Sequence, residues 1–388
     1  MKLKISILLI FILMVTAVAF AQARNAADVV AQVKKEFAPD TRVAVWTVKA
    51  GNERVATISG EVDNPRAKDA LISRLEAEGI TYRDKVKVLP DGSVAEKWAV
   101  VSISVACLRA EPRSGSELSS QAIMGTPMRV LKKENGMLMV QTPDGYIGYM
   151  TESSMRLMSD EEFEAWKVSP RVAVTVRETE MYATPKVDAK NIVSDLLLGN
   201  VLEQIGEKGG YYLVKTADSR EGYVKKSDVE KFDVWADQSF DYAKIEANAF
   251  AMMGRPYLWG GMSSKMSDCS GFMRTIYFSN GIILQRDASQ QALTGKKVNW
   301  KKWRSEAQKG DLIFIGTKAG KVTHVAMYIG DGKYIHSSGR IKVNSMDPEA
   351  SDYLDYTFIS MSRIQGEVGT QGIIAVKDHP WYFLSKME

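Results

Sequence analysis

The chain contains an internal repeat that restricts its middle part to small β-rich units. Residues 125–155 align without gaps with residues 199–229, at a constant offset of 74 positions. The likeness is clearest between LMVQTPDGYIGYM and YLVKTADSREGYV. Each unit has short alternating strands separated by Gly, Asn, Asp and Pro turns. Strands this short need closure or a partner sheet to bury one face, so the repeat predicts two small β-barrels.

The motif order within each repeat resembles bacterial SH3-like domains. A Gly is followed by a strand, a Gly-aromatic turn and a Gly-Tyr pair. We place two such domains, at residues 97–160 and 170–232. Repeated small barrels of this kind usually bind or position a ligand rather than catalyse.

The first 21 residues have the pattern of a secretory signal peptide. Lys2 and Lys4 precede an almost wholly apolar run from Ile5 to Phe20, and Ala19-Phe20-Ala21 supplies a small-x-small cleavage site. The apolar run is short for a membrane span, and no cysteine follows it to carry a lipid anchor. We therefore expect a secreted or periplasmic protein that begins near Gln22 and has no membrane span.

Residues 25–95 predict a small module of mixed helix and strand. NAADVVAQVKKEF and NPRAKDALISRLEAEGI both begin with an Asn cap and carry apolar residues at helical spacing, whereas TRVAVWTVKA and RVATISGEV alternate like strands. The order helix–strand–strand–helix, with Gly60 before the second helix, resembles a BON-type binding module.

Charge and cysteine content exclude several classes of protein. The formal net charge is +4, of which the two signal lysines supply two, so nucleic acid is not an expected partner. The chain has two cysteines, 162 positions apart, which argues against a disulfide framework. Cys107 lies in the alternating run VSISVACL and is interpreted as a half-buried strand residue.

Cys269 stands at the predicted start of a helix within an α+β domain at residues 240–388. The segment SDCSGF precedes FMRTIYFSNG, whose apolar spacing suits an amphipathic helix. Backbone N–H groups and the helix dipole stabilise a thiolate there, which lowers the expected pKa of the thiol. The position alone leaves a catalytic nucleophile and a chance capping cysteine about equally favoured.

The scarcity of histidine favours the nucleophile. The chain has three histidines, and His324 and His336 flank one predicted hairpin, THVAMYIGDGKYIH. A three-residue loop would place Ala326 opposite His336 and His324 on the same face, whereas a two-residue loop would separate the histidines. Cys269 would then attack as thiolate, His324 would transfer the proton, and His336 would orient His324.

Zinc binding is the competing explanation for Cys269 and the two histidines. These residues supply three candidate ligands, and no C-x-x-C or H-E-x-x-H pattern is present. We therefore expect no metal and no other cofactor. His379, in KDHPWYF, is expected to pack the C-terminal segment against the domain.

Residues 250–345 resemble the NlpC family of papain-like cell-wall cysteine peptidases. The motifs aromatic-x-Trp-Gly-Gly, Asp-Cys-Ser-Gly-Phe, Arg-Asp-x-x-Gln, Gly-Asp-Leu and His-Val occur in family order. The resemblance implies a papain-like α+β domain, with the cysteine on its N-terminal helix and an antiparallel sheet. It also implies hydrolysis of peptidoglycan peptides between γ-D-glutamate and a diamino acid.

The resemblance carries roles onto individual residues. His336 occupies the place of the third catalytic residue, and Tyr257 matches a tyrosine that lines the oxyanion site. The positions that line the substrate cleft are Trp259, Asp268, Ser270 and Asp287.

Two SH3-like domains ahead of such a peptidase domain resemble a subgroup that trims free peptides bearing an N-terminal L-Ala. By position, Glu117 and Tyr146 would meet the amino group of the substrate, because a carboxylate can pair with an ammonium. In that subgroup Arg-Asp is commonly followed directly by Ser, whereas Ala288 follows Arg286-Asp287 here. This departure puts one substrate contact in doubt.

The sequence therefore predicts an exported α+β multidomain protein, in which the peptidase domain follows two SH3-like barrels and a small N-terminal module. The expected substrate is an L-Ala-γ-D-Glu-diamino acid peptide of peptidoglycan. A wall-binding protein whose repeats are the functional part, and a thiol hydrolase or acyltransferase with another acyl substrate, are the alternatives.

Overall fold

The computed structural model describes residues 26–384. The predicted signal peptide at residues 1–21 lies outside the described residues. The chain divides into two compact units. The first comprises described residues 26–95 together with Leu131–Lys133 and Gly145–Ile147, and the second comprises the other described residues. Between residues 26 and 384, no helix combines the length and the apolar character needed to cross a lipid bilayer.

The N-terminal module contains two helices and a three-stranded sheet among its described residues. Its elements are α1 (26–37), β1 (Lys49–Ala50), β2 (Ala56–Val62), α2 (Pro65–Ala77) and β3 (Tyr82–Val88). Asn64 caps α2 by accepting from the Arg66 N–H, and a proline occupies the first turn. Strand β3 pairs parallel to β2 and was not predicted from the sequence. The predicted strand at 41–50 is reduced to β1, because residues 41–44 form a turn instead.

Both repeats fold into seven-stranded sheets with one topology. The first sheet has the order β10-β4-β7-β8-β9-β5-β6 and the second the order β17-β11-β14-β15-β16-β12-β13. The first is built from β4 (Trp98–Val101), β5 (Val105–Arg109), β6 (Leu118–Ile123), β7 (Pro127–Glu134), β8 (Met137–Gln141), β9 (Ile147–Thr151) and β10 (Met155–Met158). The second is built from β11 (Arg171–Val174), β12 (Glu178–Tyr182), β13 (Ile192–Leu197), β14 (Val201–Lys208), β15 (Tyr211–Lys215), β16 (Glu221–Lys225) and β17 (Val229–Lys231).

The strand positions reproduce the repeat seen in the sequence. Pro127–Glu134 corresponds to Val201–Lys208, and Met137–Gln141 corresponds to Tyr211–Lys215, each at the offset of 74. Helix α3 (Asp160–Val168) connects the two sheets, and a Ser159–Glu162 capping box begins it.

The C-terminal part consists of helices followed by an antiparallel sheet. Its helices are α4 (Phe232–Ala236), α5 (Tyr242–Ala251), α6 (Cys269–Phe278), α7 (Ala288–Gln291) and α8 (Trp303–Glu306). Its strands are β18 (Ile282–Leu284), β19 (Lys296–Val298), β20 (Leu312–Gly316), β21 (Val322–Gly330), β22 (Lys333–Ser338), β23 (Arg340–Ser345), β24 (Thr357–Arg363) and β25 (Ile373–Ala375). The main sheet has the order β19-β24-β20-β21-β22-β23, and β18 pairs separately with β25.

Helix α6 lies in the centre of this part. Its apolar residues, Phe272, Met273 and Ile276 among them, are buried in one core with residues of β20, β21 and β22. A helix buried on nearly all sides holds its first residue in a fixed position relative to the sheet. The architecture confirms the expected fold class, a papain-like α+β domain in a multidomain chain that includes SH3-like structure.

Candidate active site

Cys269 is the first residue of α6 and is 7% exposed. The residue before it, Asp268, caps the helix by accepting a 2.7 Å hydrogen bond from the Gly271 N–H. Cys269 and Cys107 are both free cysteines, and Cys107 lies half-buried in β5 as predicted. The thiol therefore stands where the unpaired N–H groups of a helix begin.

The Asp268 carboxylate is fixed by hydrogen bonds to both oxygens. Arg286 donates from Nη2 to Oδ2 at 2.6 Å and from Nη1 to Oδ1 at 3.2 Å, and both side chains are buried. The Gly260 N–H donates to Oδ2 at 3.0 Å. The Ser270 hydroxyl lies 3.2 Å from Oδ1 and accepts from Arg286 Nη1 at 2.9 Å. These hydrogen bonds, and the ion pair of Asp268 with Arg286, hold the Asp268 and Ser270 side chains in fixed positions at the N-terminus of α6.

The resting state of the thiol differs from the sequence expectation. Burial and the negative charge of Asp268 raise the pKa of Cys269 to about 11. The backbone N–H groups of Val325 and Ser270 and the charge of Arg286 lower the pKa, but they do not outweigh burial. The helix terminus acts in the predicted direction, and the neutral thiol nevertheless predominates at physiological pH.

The hairpin β21–β22 brings the two histidines onto one face by a route that the sequence did not predict. The turn is formed by two residues, Asp331 and Gly332, which both have positive φ. Such a turn alone would place His324 and His336 on opposite faces. A bulge between Tyr328 and Gly330 adds one residue and restores the register. The result is the same as for the expected three-residue loop.

His324 and His336 are hydrogen-bonded to each other. Nε2 of His324 lies 2.8 Å from Nδ1 of His336, and the rings are nearly perpendicular. The Val325 N–H, next to His324 on β21, donates to the Cys269 sulfur. The two ring nitrogens that face each other are thereby used between the histidines, and Nδ1 of His324 is left for the thiol.

Both histidines are held neutral by their surroundings. Burial, then repulsion from His336 and Lys342, lowers the pKa of His324 to about 3, and Asp268 partly opposes the shift. Burial also lowers the pKa of His336 to about 4, although its hydrogen bond to Asn344 raises it. A neutral imidazole beside a neutral thiol is the arrangement of a general base before it accepts a proton.

Two hydrogen-bond donors near the thiol have no partner among residues 26–384. They are the Cys269 backbone N–H and the Tyr257 hydroxyl. Tyr257 is half-buried, and burial followed by the charges of Cys269 and Asp268 raises its pKa, so the hydroxyl stays protonated. By donating hydrogen bonds, these two groups can stabilise the negative charge that develops on a carbonyl oxygen during nucleophilic attack.

A residue of the first repeat reaches the rim of this site. Glu117, next to β6, accepts a 2.8 Å hydrogen bond from Nε1 of Trp259. The Trp259 side chain is 62% exposed, so an open face of the indole remains beside the carboxylate. Ser120 on β6 also accepts from Arg286, and the Gln121 side chain accepts from the Met262 N–H. These hydrogen bonds connect the first repeat to the loop before α6 and to Arg286.

The remaining predicted residues lie in several environments. Asp287 precedes α7 and is half-buried, and Ala288, which departs from the subgroup motif, is buried in the apolar core. Tyr146 lies in the turn before β9 and is buried. His379 packs on Trp381 and Tyr382 and donates from Nε2 to the Pro143 carbonyl at 2.9 Å. His379 therefore holds the C-terminal segment in place, as expected.

The sequence predicted no role for Asn344, and it did not predict the ion pair between Arg286 and Asp268. Asn344 Oδ1 lies 2.9 Å from Nε2 of His336, at the far end of the histidine pair. Nothing near Asn344 in the sequence signals this contact, because it depends on the pairing of β23 with β22. Arg286 was visible within the Arg-Asp-x-x-Gln motif, but its partner Asp268 is 18 positions away.

Two family models match parts of the chain. Residues 254–363 match the NlpC/P60 family, and residues 108–155 match the bacterial dipeptidyl-peptidase SH3 domain. The first match includes Cys269, His324 and His336, and the second includes Glu117 and Tyr146.

Curated relatives and solved structures agree with these matches. A γ-D-glutamyl-L-lysine dipeptidyl-peptidase of Bacillus cereus is 33% identical over 235 residues, which cover 58% of this chain and 68% of the relative. Dipeptidyl-peptidase 6 of Lysinibacillus sphaericus is 28% identical, over 65% of this chain and 92% of the relative. The crystal structure of an NlpC/P60 family protein from Bacillus cereus superposes with a TM-score of 0.59 and 26% identity, covering 69% of this chain and 99% of the other.

Proposed function

Because the chain belongs to the NlpC/P60 family of cysteine peptidases, we propose that it hydrolyses the γ-D-glutamyl-diamino acid bond of peptidoglycan-derived peptides and prefers peptides with a free N-terminal L-Ala. The observation that carries the proposal is the Glu117–Trp259 hydrogen bond, which supports a role for a carboxylate of the first repeat at the rim of the thiol site. The names of the relatives, γ-D-glutamyl-L-lysine dipeptidyl-peptidases among them, support the same substrate class.

Acylation begins with the neutral thiol. Cys269 Sγ attacks the γ-carbonyl carbon of D-Glu while its proton passes to Nδ1 of His324. The carbonyl oxygen becomes an oxyanion that accepts hydrogen bonds from the Cys269 N–H and the Tyr257 hydroxyl. The C–N bond then breaks, and His324 returns the proton to the departing α-amine of the diamino acid. The product of this stage is a thioester between Cys269 and the γ-glutamyl group.

Deacylation uses the same groups in the same order. His324 takes a proton from water as the water oxygen attacks the thioester carbonyl, and the second oxyanion forms in the same place. Collapse expels the Cys269 sulfur, which regains the proton from His324. L-Ala-D-Glu leaves with a new γ-carboxyl group. His336 orients the His324 ring and stabilises its charged form during both proton transfers.

Recognition of the free amine follows from charge. The ammonium group of L-Ala would pair with the Glu117 carboxylate, an interaction that an intact stem linked to the glycan lacks because its nitrogen is in an amide. Trp259 would provide an apolar face beside the ammonium. We assign Tyr146 to the same amine, and Asp268, Ser270 and Asp287 to the walls of the cleft.

We propose that the protein acts outside the cytoplasm. The pattern of residues 1–21 and the cell-wall hydrolases among the relatives, such as the bifunctional muramidase/DL-endopeptidase CwlT of Bacillus subtilis, support export. N-terminal sequencing of the secreted protein tests this point, with a first residue near Gln22 expected.

A cleavage assay with matched substrates tests the proposal. L-Ala-γ-D-Glu-meso-diaminopimelate, the L-Lys analogue, the N-acetylated peptides and intact sacculi are incubated with the protein, and products are followed by mass spectrometry. We expect cleavage of the free peptides, and loss of cleavage in Cys269→Ala. Failure to cleave either free peptide would contradict the peptidase assignment, and binding to sacculi without cleavage would favour the wall-binding alternative.

Glu117→Gln separates charge from position. The glutamine oxygen still accepts from Trp259 Nε1, so the rim keeps its geometry while the negative charge is lost. We expect the preference for free over N-acetylated peptide to fall at least tenfold, which corresponds to about 1.4 kcal/mol. An unchanged preference would remove Glu117 from amine recognition and leave the peptidase activity itself intact.

A further inference from the structure

Asn344 lies on β23 with hydrogen bonds at both ends of its side-chain amide. One end lies 2.9 Å from Nε2 of His336, and the other donates at 2.6 Å to the backbone carbonyl of Asp352. A carbonyl oxygen can only accept, so the amide nitrogen of Asn344 must face Asp352. The amide oxygen therefore faces His336, and the side chain cannot be flipped without losing both bonds.

This orientation has a consequence for the proton on each histidine. The amide oxygen only accepts, so Nε2 of His336 must carry the hydrogen. Nδ1 of the neutral His336 ring is then a lone pair, which accepts from Nε2–H of His324 across the 2.8 Å contact. His324 in turn keeps its own lone pair on Nδ1, on the side of the ring that is left for the Cys269 thiol.

We propose that Asn344 is a positioning residue that fixes the tautomers of both histidines, so that His324 presents an unprotonated Nδ1 to the thiol. The tautomers follow from the hydrogen-bond geometry of the two neutral rings, whereas the effect on catalysis rests on the proposed function. If His336 carried its hydrogen on Nδ1 instead, His324 would have to accept at Nε2 and carry its own hydrogen on Nδ1. A ring in that form cannot take the thiol proton.

The groups around His324 and His336 keep both rings neutral, so each ring exists as one of two tautomers. Tyr334 from β22 and Tyr356 from the segment before β24 place their rings about His336, and Lys342 from β23 opposes positive charge on both imidazoles. The Asp268 carboxylate, at the N-cap of α6, favours positive charge on His324, and the Cys269 thiol accepts from the Val325 N–H beside it. Since both rings are neutral at physiological pH, their two ring nitrogens differ only by the hydrogen bonds that each makes.

Nitrogen NMR of the ring atoms measures the tautomers directly. The chain has three histidines, so the spectrum of uniformly ¹⁵N-labelled protein is readily assigned from single-histidine variants. His379 serves as an internal reference, because its Nε2 faces the Pro143 carbonyl and its Nδ1 accepts from the Trp381 N–H. We expect the Nε2–H form for His324 and His336 in the wild type and in Cys269→Ala. A hydrogen on Nδ1 of His336 in the wild type would overturn the proposal.

Two variants test the role of Asn344 itself. Asn344→Ala removes the acceptor, so a population of His336 with Nδ1–H should appear, and kcat should fall by about 10- to 100-fold, less than the roughly 10²- to 10⁴-fold that loss of the whole general base costs. Asn344→Asp retains an acceptor, so the Nε2–H tautomer should persist. Its carboxylate favours charged His336, which cannot accept from His324, so the acid limb of kcat/KM should move to higher pH.

Asn280→Ala is the matched control. Asn280 is also buried and also has both ends of its amide bonded, to the Asp241 N–H and the Ser239 carbonyl, away from the histidines. We expect wild-type histidine tautomers and little change in kcat for this variant. Unchanged tautomers in Asn344→Ala would overturn the proposal. So would an unshifted His336 titration in Asn344→Asp, which decides the matter if the alanine variant fails to fold.

The NMR result and the cleavage assay are independent. A protein that cleaves no peptide but shows both Nε2–H tautomers would contradict the proposed function and leave the tautomer assignment in place. A protein that cleaves the peptides but carries Nδ1–H on His336 would do the reverse.

Discussion

At the scale of single residues, burial determines the charge state of the site more than local chain position does. The pKa of Cys269 is raised to about 11 although the thiol lies at a helix N-terminus. The pKa values of His324 and His336 are lowered to about 3 and about 4. In every case the largest cause is removal of the charged form from water.

The buried histidines should make stability fall in acid. An unfolded histidine titrates near pH 6.5, so between that pH and about 4 the unfolded chain binds protons that folded His324 and His336 do not. The contribution of these histidines to the free energy of unfolding is therefore fully present above pH 6.5 and is lost as the pH falls through this window. We expect His336→Gln to lose about 1 kcal/mol less per pH unit than the wild type.

Guanidinium unfolding at a series of pH values between 7 and 4.5 measures this difference. Cys269→Ala is the control, because the pKa of its thiol lies far above the window and its removal should leave the pH slope unchanged. Equal slopes for His336→Gln and the wild type would show that His336 is not the titrating group.

The sequence predicted the participants of the site but not their protonation. Cys269 and the histidine pair were identifiable from their scarcity and from the family motifs. Burial of a thiol depends on residues from three strands and a helix, which no local pattern reveals. The partner of Asn344 was equally hidden, because Asp352 lies in a loop beyond the strand.

At the scale of elements, the start of α6 depends on a close approach between two backbones. A Cβ added at Gly271 would lie 2.0 Å from the Gly261 carbonyl oxygen, in the loop that also carries Trp259 and Gly260. Helix and loop therefore meet at a distance that only glycine permits. The helix terminus and the rim of the site are held together by this contact.

Gly271→Ala should destabilise the protein although alanine favours helix. The expected loss is about 1–3 kcal/mol, because backbone must move to relieve the overlap. Gly210→Ala is the control, since nothing lies within 4 Å of an added Cβ there. Its stability should change by less than about 1 kcal/mol. Denaturant unfolding of both variants checks the prediction, and equal stabilities would contradict it.

In the β21–β22 hairpin, the periodic pattern of the sequence predicted the face of the histidines but not the strand register. The alternation of β21 and the Gly-Asp-Gly turn predicted a hairpin with both histidines on one face. The face was right, but the register arises from a two-residue turn combined with a bulge. A bulge depends on pairing between two strands, so the sequence of one strand does not predict it.

At the scale of the whole molecule, the second compact unit combines most of the first repeat with the second repeat and the peptidase domain. Arg274 on α6 donates at 2.8 Å to Asp144, which follows β8 of the first repeat, and the Asp144 side chain is 1% exposed. His379 reaches Pro143 beside it. The buried charge pair ties the helix that carries Cys269 to the first repeat.

Arg274→Met should destabilise this unit as a whole. Removing the guanidinium leaves the buried Asp144 carboxylate without its partner, which costs about 3–5 kcal/mol. Calorimetry should show a lowered Tm for the transition of both repeats and the peptidase domain together. Adding Asp144→Leu should restore much of the loss. A Tm change confined to one of several separate transitions would contradict the coupling.

The repeat was the most reliable large-scale feature of the sequence, because a constant offset of 74 reappears in strand after strand. The contact between Glu117 and Trp259 could not be deduced from periodicity, since it joins residues 142 positions apart. The resemblance to known peptidases suggested the role of Glu117, and the physical contact supports that suggestion.

The protonated resting thiol also affects how easily the site is oxidised. Peroxides and disulfides react with thiolates, and a cysteine held as a thiol at the edge of a core is a poor target for them. In the proposed mechanism, Cys269 gives its proton to His324 as its sulfur attacks the substrate carbonyl. In the proposed exported enzyme, this protection slows oxidation of Cys269 while the site holds no substrate.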